Sequence, residues 1–155
     1  MKKADRQNRI FIFLGILIIG FVLINMWNYN ETNSVFGSET QKSETQKIEN
    51  ITPKDAYKLI EKHKDNENFI ILDVRTPGEF KQGYIKNAKN IDYYSETFRD
   101  ELNKLDKDKT YLIYCRSGNR SGRTLRVMQE LDYSTVYNIT GGILQWYAEG
   151  LPITK

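Results

Sequence analysis

The chain has one cysteine and one histidine in 155 residues. A single thiol cannot close an intramolecular disulfide, and one Cys with one His cannot assemble a Cys/His metal cluster, so a disulfide scaffold and a structural zinc site are both excluded. Three prolines and ten glycines are too few for a collagenous or low-complexity chain. Charge of one sign is also scarce. The net charge is +3, but Lys2, Lys3, Arg6 and Arg9 against Asp5 account for all of it, leaving 19 basic residues against 19 acidic ones. A neutral body argues against nucleic-acid binding, which needs a clustered basic face. No cofactor-binding motif is present, and a chain this short is expected to hold one domain.

One long hydrophobic run is present, near the start. Residues 1–9 are polar and basic, and residues 10–24, IFIFLGILIIGFVLI, are unbroken apolar sequence that extends through Asn25 to Trp27. Eighteen residues at about 1.5 Å each span roughly 27 Å, close to a hydrocarbon core. Residues 10–27 are therefore expected to form a transmembrane signal anchor, with Trp27 and Tyr29 at the interface. A cleaved signal shares the charged start and short apolar stretch, but no small-x-small site follows closely. Four cations precede the span and none lies between Trp27 and Gln41. By the positive-inside rule the N-terminus is expected in the cytoplasm and the body outside it. Residues 28–47 are polar and contain a tandem repeat of Ser-Glu-Thr-Gln-Lys at 38–42 and 43–47. Such composition cannot bury a core and is expected to be a disordered tether.

The folded part, 48–155, alternates strand and helix signals. Ile48 to Ile51 reads as a short strand, and Thr52 as the cap of a helix with Pro53 at its first position and Asp55 at its third. His63, near that helix's end between two lysines, is expected at the surface. Phe69 to Leu72 is a continuous apolar run, as in a strand buried on both faces of a parallel sheet. Ile91 is expected to open a further strand, and Phe98, Leu102 and Leu105 to line a helix. Residues 110–114 and 135–139 read as strands, with a closing helix carrying Leu144, Trp146 and Tyr147. Strict alternation implies an α/β fold: a parallel sheet covered by helices on both faces through right-handed crossovers.

Cys115-Arg116-Ser117-Gly118-Asn119-Arg120-Ser121 falls between the apolar strand Tyr111–Tyr114 and a helical pattern with Leu125, Met128 and Leu131. The thiol thus sits where a helix begins. Unpaired amides of a first helical turn and its positive dipole end favour anions, and two guanidinium groups add to that field, which lowers a thiol pKa. Ser117, Gly118 and Gly122 are small enough to let the loop curl around one centre. A lone Cys after a core strand is more often packing than chemistry, but an apolar pocket has no use for two neighbouring cations. Cys115 is therefore read as the nucleophile, with Arg116, Ser117, Gly118, Asn119, Arg120 and Ser121 as its binding loop. Arg75 and Glu79, four apart, are expected to pair. Trp146 is expected in the core, with a place in the wall of the active pocket as the alternative.

This loop resembles the active loop of single-domain rhodaneses, which are sulfurtransferases. Asp73 to Phe80 is similar to that family's upstream signature, Gly83 to Ile91 to its second, and Asn138 to Gly142 with Trp146 and Gly150-Leu151-Pro152 to its C-terminal end. The resemblance implies a rhodanese-like fold with five strands. It also implies that Asp73 accepts hydrogen bonds from the active loop; capping its own turn is the other reading. Tyr84 and Lys86-Asn87 replace the His and Pro-Gly usual in the second signature. The implied function is transfer of a sulfane sulfur from a thiosulfate, polysulfide or persulfide donor to a thiol or cyanide acceptor through a persulfide on Cys115. A sulfur-carrying or redox-sensing module that serves a membrane partner without turnover is the alternative. Cysteine phosphatases place five residues between their Cys and Arg, whereas here Arg120 is the fifth residue after Cys115 and the sixth is Ser121; the shorter loop suits one sulfur atom better than a phosphate.

Overall fold

In the computed structural model, which describes residues 46–155, these strand and helix signals close into one five-stranded parallel sheet. The elements run in chain order as β1 Lys47–Ile51, α1 Pro53–Lys62, β2 Phe69–Asp73, α2 Pro77–Lys81, β3 Lys89–Asn90, α3 Phe98–Asn103, β4 Thr110–Tyr114, α4 Asn119–Glu130, β5 Thr135–Ile139 and α5 Gly142–Ala148. Strand order is β1-β5-β4-β2-β3, and every pairing is parallel. The basic N-terminus, the proposed anchor 10–27 and nearly all of the tether lie outside the described residues. Among the described residues no helix is long and apolar enough to cross a membrane.

Period-two alternation along β4 builds both cores. Tyr111 and Ile113 pack with Leu72 and Val136 beneath Phe98 and Leu102 of α3 and Leu125 and Met128 of α4. Leu112 and Tyr114 point the other way, to Ala56 of α1 and to Ile143 and Trp146 of α5. Burying each such side chain contributes about 1.5–3 kcal/mol, so β4 is held from both faces up to the residue before Cys115. Thr52 caps α1 as expected, its hydroxyl accepting from the Asp55 amide at 3.2 Å. His63 is that helix's C-cap and stacks on Phe69.

Two expectations are corrected. The third strand is Lys89–Asn90 and ends before Ile91, whose amide continues the ladder to the Asp73 carbonyl. Arg75 and Glu79 do not pair. Thr76 is the N-cap of α2, so Arg75 lies outside that helix and the four-residue helical spacing does not apply. Thr76 and Glu79 instead form a capping box, the Thr76 hydroxyl accepting from the Glu79 amide and the Glu79 carboxylate accepting from the Thr76 amide.

Candidate active site

Cys115 is the first residue beyond β4, at the C-terminal edge of the sheet where open α/β folds present their ligands. Three residues later Gly118, at φ +89°, is the N-cap of α4. That left-handed turn swings the chain back over the thiol, and a Cβ at Gly118 would stand 3.1 Å from the Gly141 amide nitrogen. The Gly118 N–H donates to Cys115 Sγ at 3.1 Å. The Ser121 hydroxyl lies 3.4 Å from the Gly118 carbonyl, and a hydroxyl proton rotates toward whichever acceptor is more negative. Cys115 is 1% exposed. Burial pushes its thiol pKa up, but hydrogen bonds from the Ser121 hydroxyl and from the Ser121, Ser117 and Gly118 amides outweigh burial and bring it below the ordinary thiol value.

The opposite side of the loop is fixed by α5. Its Ile143 and Leu144 amides donate to the carbonyls of Cys115 (2.8 Å) and Arg116 (3.0 Å). Backbone contact this close requires glycine: at Gly142, φ +57°, a Cβ would fall 2.4 Å from the Cys115 carbonyl oxygen. The double glycine of the C-terminal signature is thus part of the loop's scaffold.

Arg120 was expected in the binding loop. It is occupied by protein: its guanidinium donates to both carboxylate oxygens of Glu79, at 2.8 and 2.7 Å. Tyr94 lies under the same guanidinium, 5.5 Å from ring centroid to Arg120 Cζ. The Arg120 guanidinium holds the Glu79 carboxyl at a pKa of about 2, with burial opposing and the Thr76 hydrogen bonds assisting. Arg120 therefore clamps the first turn of α4 to α2 and adds positive field near the sulfur. Arg116, Ser117 and Asn119 are exposed at the loop's rim. Gly122 was expected to help the loop curl, but it lies within α4.

Asp73 accepts nothing from the loop. Its carboxylate takes hydrogen bonds from the Arg75 amide and guanidinium, both residues fully or almost fully buried, and Arg75 also donates to the Gly83 carbonyl at 2.7 Å. The reading in which Asp73 serves its own turn is the one observed, and the pair ties β2 to the Gly83 turn. Trp146 is 1% exposed, donates from Nε1 to the Pro152 carbonyl and packs in the core on the α1 and α5 side, away from Cys115. Sequence reasoning missed Tyr94 altogether; its only signal was an aromatic pair, Tyr93-Tyr94, in a polar loop.

The family model described as a rhodanese-like domain matches residues 52–149. A sulfurtransferase of Allochromatium vinosum is 35% identical over 99 residues, covering 64% of this chain and 91% of that protein. The thiosulfate:glutathione sulfurtransferase of Saccharomyces cerevisiae is 26% identical over 139 residues, covering 83% and 93%. The crystal structure of a rhodanese-related protein from Thermoplasma volcanium is 31% identical, covers 68% of this chain and 97% of its own, and superposes with a TM-score of 0.59. A cysteine-bearing strand-to-helix loop on a five-stranded parallel sheet, together with a family match over most of the folded residues, establishes that the chain belongs to the rhodanese-like domain family.

Proposed function

We propose that the protein is a sulfurtransferase that carries a sulfane sulfur on Cys115. The Cys115 thiolate attacks the outer sulfur of thiosulfate or of a polysulfide or persulfide. A bond forms between Sγ and that sulfur, the donor's S–S bond breaks, and sulfite or the remaining thiolate leaves with the electron pair. A thiolate or cyanide then attacks the outer sulfur of the Cys115 persulfide, and Cys115 leaves as thiolate, ready for another cycle. The persulfide anion formed between the two steps faces the amide N–H groups of residues 117, 118 and 121, which act on it as an oxyanion hole acts on developing charge. The lowered thiol pKa favours the thiolate, and the cycle as written gives no residue the part of general base.

The observation that carries this reading is the Sγ at the focus of the loop's donors, 3.1 Å from the Gly118 amide. Arg116, exposed at the rim, is the residue proposed to draw in an anionic donor. The bidentate Glu79–Arg120 pair argues against phosphoryl transfer, since the arginine that would clamp a phosphate is already bound. Relatives named for thiosulfate and glutathione support a thiosulfate donor and a thiol acceptor.

The test is thiocyanate formation by the full-length chain from thiosulfate and cyanide. The expected result is turnover that disappears in Cys115→Ser. Aryl-phosphate hydrolysis above background, lost in the same variant, would replace this reading with a phosphatase.

A further inference from the structure

Beside the active loop, α4 and the edge strand β1 enclose an open groove of about 430 Å³ lined by Asn50, Asn119, Gly122, Arg123, Leu125 and Arg126. Its size lies within the range of small-molecule sites. Asn119 belongs to both the loop and the groove, so the groove opens directly onto the rim of the Cys115 site.

The groove's charge stands out against a chain body with balanced charges. Arg123 and Arg126 are exposed, three residues apart on one face of α4, with Cβ atoms about 5–6 Å from each other. Neither has a carboxylate partner among the described residues. The sole acidic residue of α4, Glu130, is taken by Arg99.

A polar pair lies at the groove's β1 side and beneath it. Asn50 and Asn138 are aligned across β1 and β5, in a row that continues into Ile113 and Leu72, which are core residues. Asn138 is 3% exposed and donates to Asn50 Oδ1 at 2.7 Å, while its own Oδ1 is buried without a partner among the described residues. The buried amide oxygen is a cost to stability; Asn50, exposed and lining the groove, is the member of the pair open to a ligand. Gly122 lies over that pair: a Cβ there would meet Asn138 Nδ2 at 3.9 Å, an ordinary contact.

From this arrangement we infer that the groove binds the carboxylate groups of a small acidic thiol, the acceptor that removes sulfur from Cys115. The inference rests on the sulfurtransferase reading for its acceptor role and on the groove alone for its binding role. Arg123 lies one helical turn, about 6 Å, beyond Asn119, so a carboxylate held by the arginine pair leaves the thiol of the same small acid near the rim of the loop. Guanidinium pairs bind carboxylates with charge-assisted hydrogen bonds, and two adjacent ones favour a dicarboxylate.

Acceptor selectivity is the kinetic test, measured on the full-length chain as the ratio of kcat/KM for mercaptosuccinate to kcat/KM for uncharged 2-mercaptoethanol. Replacing both arginines, Arg123→Gln with Arg126→Gln, is expected to lower that ratio about tenfold, the loss of roughly one charge-assisted contact. Gly122→Ala, whose methyl fits and whose helix gains from alanine, is expected to lower it as well without loss of thermal stability. An unchanged ratio in both variants overturns the proposal. Binding is tested separately by ligand-observed NMR of 2-(methylthio)succinate, which carries no thiol, with full-length Cys115→Ser. Saturation transfer that disappears in the arginine double variant supports the groove, and transfer that persists unchanged overturns it. If the chain transfers sulfur to no acceptor, the function proposed above fails while the NMR result still decides the groove.

Discussion

Replacing Glu79 with Gln isolates the contact that holds the active loop against α2. Gln preserves the side chain's length and its place in the capping box, which accepts Glu or Gln, so the change removes the ion pair and little else. In the folded chain the Glu79 carboxyl titrates at about 2 against an ordinary 4.5. At about 1.4 kcal/mol per pKa unit the ceiling is about 3.5 kcal/mol. The Arg120 and Glu79 side chains are 13% and 26% exposed, and screening at that exposure reduces the expected loss to about 1–2 kcal/mol. The sign follows from the lowered folded-state pKa. The stabilisation is fully present above 4.5 and disappears as pH falls from there through about 2. Urea unfolding of both proteins over that range measures it. Glu79→Gln should be less stable by that amount at neutral pH and should converge on the parent near pH 2. A variant as stable as the parent at neutral pH, or one with the same acid slope, would refute the assignment of Arg120 as a clamp.

Other perturbations separate chemistry from scaffold. Ser121→Ala removes a hydroxyl that helps hold the Cys115 pKa down, so the pH profile of alkylation should move to higher pH. Each unit of that movement lowers the thiolate fraction near neutrality about tenfold, and sulfur loading should slow in proportion. Asp73→Asn leaves the buried Arg75 guanidinium without its counter-ion and should cost about 3–5 kcal/mol by urea unfolding, with no direct effect on the thiol. Gly142→Ala forces a methyl into the Cys115 carbonyl at a positive φ. It should lower Tm and abolish turnover together, since the loop cannot keep its geometry; full activity at the parent Tm would contradict the backbone account. For residues 10–27, the expected anchor should keep the full-length chain in the membrane fraction after an alkaline carbonate wash, and a chain lacking residues 1–27 should wash off.

Much of this was readable from the sequence because the determining physics is local. The strand runs 110–114 and 135–139 are β-prone, short and bounded by turn residues, and the structure has those bounds. Thr52-Pro53 announced its helix because cap, proline and acidic third position act within one turn. The site's partners were harder, because they depend on which turn of chain brings distant residues together. Arg75 and Glu79 obeyed a helical spacing, yet the helix starts between them, and Thr76-Pro77-Gly78-Glu79 already spelled the capping box that separates them. Glu79 meets Arg120 across 41 residues of sequence, a distance no periodicity reports. Asn138 read as part of a strand; only the sheet's order, which sets β5 beside β1, reveals it as one half of a buried amide pair.

The central claim is that Cys115 itself holds the transferred sulfur, and intact-mass spectrometry of the full-length chain tests it most directly. The chain should gain the mass of one sulfur atom after incubation with thiosulfate, lose it when a thiol or cyanide is added, and gain nothing as Cys115→Ser. A chain that takes up no sulfur from thiosulfate, polysulfide or persulfide, or takes it up without Cys115, would contradict the account.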